Sequence, residues 1–338
     1  MAVNVAVVGA TGAVGDLIRT VLAERDFPIR TIKFLASEKS AGKTVTFAGK
    51  TYPVEPIRAE AFAGVQIVLS STPSSVSKEF SPIAAKAGAI VVDNSSAWRM
   101  DPDCPLVVPE VNADQLHHIK KGIVANPNCV AIPLCVALKP LHDLGGVKRI
   151  VVCTYQSSSG KGAKGLADFE SQLAAFAAGG PVPAPTAHRA QLAGNVITLD
   201  WTLDPNGYTE EENKVINETK KILGDATIGV NPTCVRVPVR VSHSEAVTVE
   251  FHRPVSVAAA KAALAVAPGV VLMDETKGEF PQPLHATGTD HTYVGRVRQD
   301  PSCANALSLW VVADNLRKGA ASNAVQCAEE LVKRGIVK

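Results

Sequence analysis

Two differently patterned halves predict an α/β chain in which a doubly wound parallel-sheet domain is followed by an α+β domain. Three observations carry this. Short apolar runs alternate with amphipathic segments through the first third of the 338 residues, the mark of strands joined by helical crossovers. A glycine-rich turn stands between the first run and the first amphipathic segment. After Cys129 the apolar runs alternate in and out, as in strands of a more antiparallel sheet.

The elements follow in order. Residues 2–8 are β-rich, and residues 13–25 carry Val14, Leu17, Ile18, Val21 and Leu22 at helical spacing. Residues 31–36, 65–70, 89–93 and 122–125 read as the further strands of the first sheet. Residues 150–156 form a strand that runs into a Ser/Gly-rich stretch, 157–165, and residues 179–185 read as a loop or lid. Residues 210–223 predict a charged helix. Residues 234–241, 246–253, 294–297 and 306–313 predict strands, and residues 316–334 one amphipathic helix.

The length suits about two domains. Hydrophobic residues make up 46% and charged residues 20%, as in an ordinary globular chain. A net charge of +2 and 5% aromatics argue against a nucleic-acid surface. No apolar run reaches the ~18–20 residues of a membrane span, and the start, Met1-Ala2-Val3-Asn4-Val5, has no basic leader region. The seven cysteines are an odd number without a C-x-x-C pair, so neither a disulfide framework nor a metal cage is expected. A reducing, cytoplasmic location follows from that cysteine usage.

The turn Gly9-Ala10-Thr11-Gly12-Ala13-Val14-Gly15 is a G-x-x-G-x-x-G variant of the dinucleotide fingerprint, with a strand before it and a helix after it. Its glycines let backbone approach a pyrophosphate, and the helix start offers unpaired N–H groups. The first domain is therefore Rossmann-like. Which dinucleotide it takes depends on the segment after the second strand. Glu38 suits the ribose hydroxyls of NAD. Ser37, Lys39, Ser40 and Lys43 suit a 2′-phosphate and favour NADP.

Asn126-Pro127-Asn128-Cys129 lies between a strand and an apolar, helix-compatible run. A cysteine at a helix amino end is favoured as thiolate, the form that attacks acyl and aldehyde carbons. The other six cysteines read as small buried hydrophobes.

With these residues in place, the chain resembles aspartate-semialdehyde dehydrogenase along nearly its whole length. The segments that carry the resemblance are VVGATGAVG (7–15), DNSSAWRM (93–100), VPEVN (108–112), NPNC (126–129), TYQSSSG (154–160), EENK (211–214), RVPV (236–239), HSEAV (243–247) and DNLRKGAA (314–321). The resemblance implies reductive dephosphorylation of L-4-aspartyl phosphate to L-aspartate 4-semialdehyde by NADPH. That product feeds lysine (through diaminopimelate), threonine, methionine and isoleucine biosynthesis. It also implies a second domain of the glyceraldehyde-3-phosphate-dehydrogenase-like type. The expected division is residues 1–128 with 315–338 for NADP binding and 129–314 for catalysis and dimerisation, in a homodimer or dimer of dimers.

Carried over residue by residue, Cys129 resembles the nucleophile and His243 the general acid/base, a role that suits a side chain titrating near neutrality. Arg236 resembles the clamp on the substrate α-carboxylate, Gln156 the substrate-orienting amide, and Glu211 the partner of the substrate ammonium. Arg99 and Lys214 resemble the phosphate binders, and Asn128 a contributor to the oxyanion site. Gly9, Thr11, Gly12, Ala13, Val14, Gly15, Ser37, Lys39, Ser40, Ser159, Gly160 and Asn315 resemble the cofactor contacts, with Asn315 at the nicotinamide end. His117, His118, His142, His188, His252, His285 and His291 match no catalytic position.

Two departures from the family pattern stand out. Val130-Ala131 follow the nucleophile where hydroxyl residues are usual, and Lys161 stands where a small residue is common. Near the cofactor Lys161 would add affinity for phosphate; on the surface it would do nothing. Two other readings are a related acyl-phosphate or acyl-CoA reductase and a catalytically silent relative. Arg236, Glu211 and Lys214 together argue against the first, and Cys129, Gln156, Arg236 and His243 together against the second.

Overall fold

The computed structural model describes residues 1–337. The chain forms two compact units, Met1–Asn128 with Ala320–Lys338, and Cys129–Gly319. In chain order, the first contains β1 (Val3–Val8), α1 (Ala13–Glu24), β2 (Ile29–Ala36), β3 (Thr44–Phe47), β4 (Lys50–Pro56), β5 (Ile67–Ser70), α2 (Ser74–Lys86), β6 (Ile90–Asp93), α3 (Pro109–Asn112) and β7 (Ile123–Ala125). The second contains α4 (Ala131–Gly145), β8 (Val147–Gln156), α5 (Gly162–Ala177), α6 (Glu210–Leu223), β9 (Gly229–Arg236), β10 (His243–Phe251), α7 (Val257–Val266), β11 (Val270–Leu272), α8 (Pro283–Ala286), β12 (Thr292–Gln299) and β13 (Ala306–Ala313). The chain then returns to the first unit through α9 (Ser322–Lys333).

The first unit is a seven-stranded sheet in the order β3-β4-β2-β1-β5-β6-β7. All neighbours are parallel except the β3–β4 hairpin at one edge. Val5 and Val7 point to one face, into a core shared with Ile18 and Leu22 of α1 and Val325 and Leu331 of α9. Ala6 and Val8 point to the other, against Phe80 and Ala84 of α2. Burial on both faces is why these strands read as unbroken apolar runs.

The second unit is a six-stranded sheet in the order β11-β12-β13-β10-β8-β9. It is mixed: β8–β9 and β11–β12 are parallel, and the other pairs antiparallel. One face packs Ile150, Val152, Val247, Val249, Leu307 and Leu309 against Leu134, Leu138 and Leu141 of α4 and Leu264 of α7. The opposite face carries Cys153, Ala246, Thr248, Ser308 and Trp310, all only half-buried. There Tyr155 and Trp310 lie with ring centroids 5.2 Å apart.

Several elements differ from the sequence expectation. The strand expected at 234–241 is Gly229–Arg236. Its register with β8 ends at Gln156–Arg236, and its place at the sheet edge tolerates Pro232. The helix expected over 316–334 opens instead with a wide π turn at Arg317–Ala321. Asp314 Oδ1 holds the amides of Leu316 and Arg317 there. Residues 315–319, expected in the first domain, stay with the second unit, where Asn315 Oδ1 accepts from Ser157, Ser159 and Ser242. Within the Ser/Gly-rich stretch, α5 begins at Gly162.

No helix among the described residues is long and apolar enough to cross a membrane. None of the seven cysteines is in a disulfide.

Leu331 is fully buried between α9 and the first sheet. Leu331→Ala is expected to destabilise the protein by about 2–5 kcal/mol, read as a lower denaturant midpoint. Leu284→Ala, at a side chain 86% exposed, is expected to change stability by less than ~0.5 kcal/mol.

Candidate active site

At the carboxyl end of β1 the chain turns through Gly9, at φ +82°, where an added Cβ would lie 2.2 Å from the Ser71 carbonyl oxygen. A Cβ on Gly15 would lie 2.2 Å from the Gly9 carbonyl oxygen. Only glycine fits either position, and the turn is drawn tight against the sheet. β1 has β2 on one side and β5 on the other, so the crevice at its carboxyl end is the switch point where nucleotides bind. Gly12 caps α1 without a side chain. The amides of Ala13, Val14 and Gly15 lie in the first turn, where no preceding carbonyl serves them, and such a turn suits a pyrophosphate.

Past β2, Ser37 leads into a single turn at Glu38–Ser40. Thr11 Oγ1 lies 3.5 Å from Ser40 Oγ, which brings these two expected cofactor residues together. Glu38 Oε1 accepts from Arg58 Nη2 at 3.1 Å, so its carboxylate is engaged within the protein. Ser37, Glu38, Arg58, Phe62 and Phe80 line a concavity of about 290 Å³ beside this turn.

Arg99, also in the first unit, is 9% exposed. Its Nε donates to Asn126 O at 2.9 Å and its Nη2 to Asn94 O at 2.8 Å. These two carbonyls fix the orientation of the guanidinium. Asn128, the last residue of this unit's first segment, is 6% exposed.

In the second unit, Cys129 precedes α4 by one residue, Val130. The amino end of a fifteen-residue helix favours negative charge beside it. A Cβ added to Gly319 would lie 3.0 Å from Cys129 Cβ, so Gly319 keeps the space beside the thiol open. The sequence reading missed this residue, although it lies within the 314–321 motif.

His243 begins β10 and is 1% exposed. Its Nδ1 accepts the Ser157 amide N–H at 2.9 Å and lies 3.0 Å from Ser157 Oγ. An N–H donor at Nδ1 places the proton of the neutral ring on Nε2, which is buried with no hydrogen-bond partner. Burial first, and the Arg236 charge second, hold this imidazole well below its usual pKa. The chain thus presents a neutral ring with an unused N–H.

Arg236 ends β9 with 1% exposure. Its Nε donates to Asp200 Oδ2 at 3.0 Å and its Nη1 to Ser157 O at 2.6 Å. The guanidinium carbon lies 4.6 Å from the Trp201 ring centroid. A Cβ placed on Gly160 would lie 3.0 Å from Arg236 Nη1 and 3.4 Å from His243 Nε2. Arg236 and His243 therefore converge on one small volume in front of Gly160.

Gln156 Nε2 donates to Glu211 Oε1 at 3.0 Å, and Glu211 Oε2 lies 3.5 Å from Lys214 Nζ. The helical spacing of Glu211 and Lys214 puts them on one face of α6, whose start is fixed by a Thr209–Glu212 capping box. Asn315 Oδ1 accepts from Ser159 Oγ at 2.9 Å and from Ser157 Oγ at 3.2 Å. In the second unit Ser159, Gly160, Arg236, His243 and Asn315 lie at or against the turn at Ser158–Lys161, and Gln156 links Glu211, and through it Lys214, to the strand that leads into it.

Lys161 is engaged within the protein. Its Nζ donates to Asp200 Oδ1 and to Ala187 O, each at 2.8 Å. Asp200 and His188 were not singled out as site residues from sequence. Asp200 sits in an irregular segment 36 residues before Arg236, with no motif around it.

Comparison with known proteins bears on what this arrangement serves. Residues 4–119 match the semialdehyde dehydrogenase NAD-binding domain, and residues 138–318 the semialdehyde dehydrogenase dimerisation domain. Aspartate-semialdehyde dehydrogenase of Aquifex aeolicus is 48% identical over 340 residues, covering 100% of both chains. That of Bacillus subtilis is 45% identical, covering 99% of each. The crystal structure of Vibrio cholerae aspartate semialdehyde dehydrogenase II complexed with ASA superposes with a TM-score of 0.95 at 46% identity, covering 98% of this chain and 99% of that one. With full-length identity of this order and both halves matched, the chain belongs to the aspartate-semialdehyde dehydrogenase family, oxidoreductases that use a nicotinamide cofactor.

Proposed function

We propose that the residues gathered here carry out NADPH-dependent reductive dephosphorylation of L-4-aspartyl phosphate, with Cys129 as nucleophile. The observation that carries the assignment of roles is the convergence of Arg236 and His243 on the space before Gly160.

In this reading Arg236 binds the substrate α-carboxylate, and Glu211 its ammonium group. Arg99 and Lys214 bind the phosphoryl group. The Cys129 thiolate attacks the acyl carbon, the C–O bond to phosphate breaks, and inorganic phosphate leaves a thioester on sulfur. Asn315, Ser159 and Gly160 would hold the nicotinamide, which would supply the hydride that reduces the thioester. Oxygen then carries negative charge, and the His243 Nε2–H, its acid/base proton, stabilises it together with Asn128. Collapse expels the thiolate and releases the semialdehyde. Gln156, fixed by Glu211, orients the acyl group.

NADP is the proposed nicotinamide. Engagement of Glu38 by Arg58 weakens the NAD reading, and Ser37, Lys39 and Ser40 supply hydroxyl and ammonium donors for a 2′-phosphate. Seven cysteines without a disulfide suit a reducing compartment, the cytoplasm. The uncovered sheet face with Tyr155 and Trp310 supports a homodimer formed through the second unit, since apolar faces of this kind mark association surfaces.

The deciding assay is NADPH formation from L-aspartate semialdehyde, phosphate and NADP, with NAD run beside it. Cys129→Ala is expected to lose at least about a thousand-fold in kcat, while Cys135→Ala, at a buried thiol whose pKa burial pushes far up, retains turnover. Activity surviving Cys129→Ala, or a preference for NAD, removes the corresponding part of the reading.

Because its pKa is depressed, His243 stays neutral until the pH falls below the ordinary histidine value of ~6.5, so the acid limb attributable to it lies lower still. In Arg236→Leu the positive charge is gone but burial remains. The His243 titration followed by NMR is then expected to move upward without regaining the ordinary value.

Trp310→Arg places a charge on the uncovered face and is expected to give monomers in sedimentation velocity, against dimers for the parent.

A further inference from the structure

We propose that Asp200, with Lys161 as its counter-charge, is the positioning device that sets Arg236 for the substrate carboxylate. The proposal rests on the reading of Arg236 as that clamp.

Asp200 is buried, its side chain wholly so. Oδ2 accepts Arg236 Nε at 3.0 Å and His188 Nδ1 at 3.1 Å. Oδ1 accepts Lys161 Nζ at 2.8 Å and the Arg189 amide at 3.0 Å. Burial alone would raise its pKa, but these four donors outweigh it and hold the carboxyl well below the usual range. Asp200 is therefore a fixed anion. His188 extends the brace, with Nε2 lying 2.8 Å from Ser158 Oγ in the turn that also carries Ser159 and Gly160. The segment bearing His188 is held in turn by Asp168, whose carboxylate accepts the amides of Thr186, Ala187 and His188.

Two consequences follow for Arg236. The first is geometric. A guanidinium has five N–H donors; Asp200 takes the one on Nε and Ser157 O one on Nη1. With these two donors taken and Trp201 against the plane, the orientation of the guanidinium is fixed, and Nη2 and the second N–H of Nη1 are what it can offer a substrate carboxylate. The second is electrostatic. A single Asp200 beside a single Arg236 would leave a neutral pair with little pull on a third charge. Lys161 shares the carboxylate, so the three side chains together carry one unbalanced positive charge. A substrate carboxylate completes the neutralisation that a buried cluster requires. This gives Lys161 a function within the cluster, through the Asp200 carboxylate.

The test compares kcat/KM for L-aspartate semialdehyde with that for 3-aminopropanal, the analogue lacking the α-carboxylate. Their ratio measures how strongly the enzyme reads the carboxylate. Asp200→Asn is expected to reduce this ratio by about ten- to a hundred-fold, the range of a hydrogen bond to a charged group. The loss should fall mainly on KM for the semialdehyde, leaving kcat/KM for the analogue within ~3-fold of the parent. Asp200→Glu, which keeps the charge, recovers part of the ratio, and Lys161→Met lowers it by a smaller factor. An equal loss on both substrates would assign Asp200 a merely structural role and overturn the proposal, as would an unchanged ratio. If Asp200→Asn does not fold, Lys161→Met and Asp200→Glu decide, and an unchanged ratio in both has the same force. Arg236→Lys separates the two readings. If it leaves the ratio intact, the clamp assignment itself fails; if it collapses the ratio and Asp200→Asn does not, only the Asp200 proposal fails.

Discussion

A guanidinium taken out of water must be compensated, because a buried unpaired charge costs several kcal/mol. The compensation of Arg236, 1% exposed at the end of β9, organises much of the second unit. Asp200 meets it from one side and the Ser157 carbonyl from another. Ser157 also meets His243. Through Asp200 the same network reaches Lys161, His188 and Ser158. Three stretches distant in sequence are thereby locked to the ends of two strands. The placement of the Arg236 guanidinium comes from this locking more than from the strand that carries it.

The same charge shapes its neighbours. Arg236 adds to burial in keeping the His243 ring neutral, and the Ser157 amide decides which nitrogen of that ring bears the proton. A neutral ring with an unpartnered Nε2–H is suited to stabilise charge that develops on oxygen, because it carries no charge of its own to neutralise beforehand. Glu211, by contrast, is tied between Gln156 and Lys214, where helix geometry supplies the pairing.

Much of the fold was legible because strands buried on both faces and helices buried on one leave distinct periods in the sequence. Five of the seven first-sheet strands lie within a few residues of their expected bounds, and α6 spans Glu210–Leu223 as expected, but the β3–β4 hairpin at the sheet edge was not anticipated. Errors arose where tertiary pairing overrode local pattern. Pro232 hid the start of β9, which is tolerated because β9 is an edge strand. The π turn at Arg317–Ala321 depends on Asp314, a cap that a smooth helical periodicity does not reveal.

By itself the sequence determined the α/β class, the glycine turn at residues 9–15, and the motifs that bring a cysteine, a histidine and an arginine into one family's order. These are local or periodic signals, written in neighbouring residues. Only the tertiary structure decided which nitrogen of His243 carries the proton, that Glu38 is engaged by Arg58, and that Lys161 and Asp200 belong with Arg236. Protonation and ion pairing are set by the distance and burial of groups far apart in the chain, and neither quantity exists until the chain has folded.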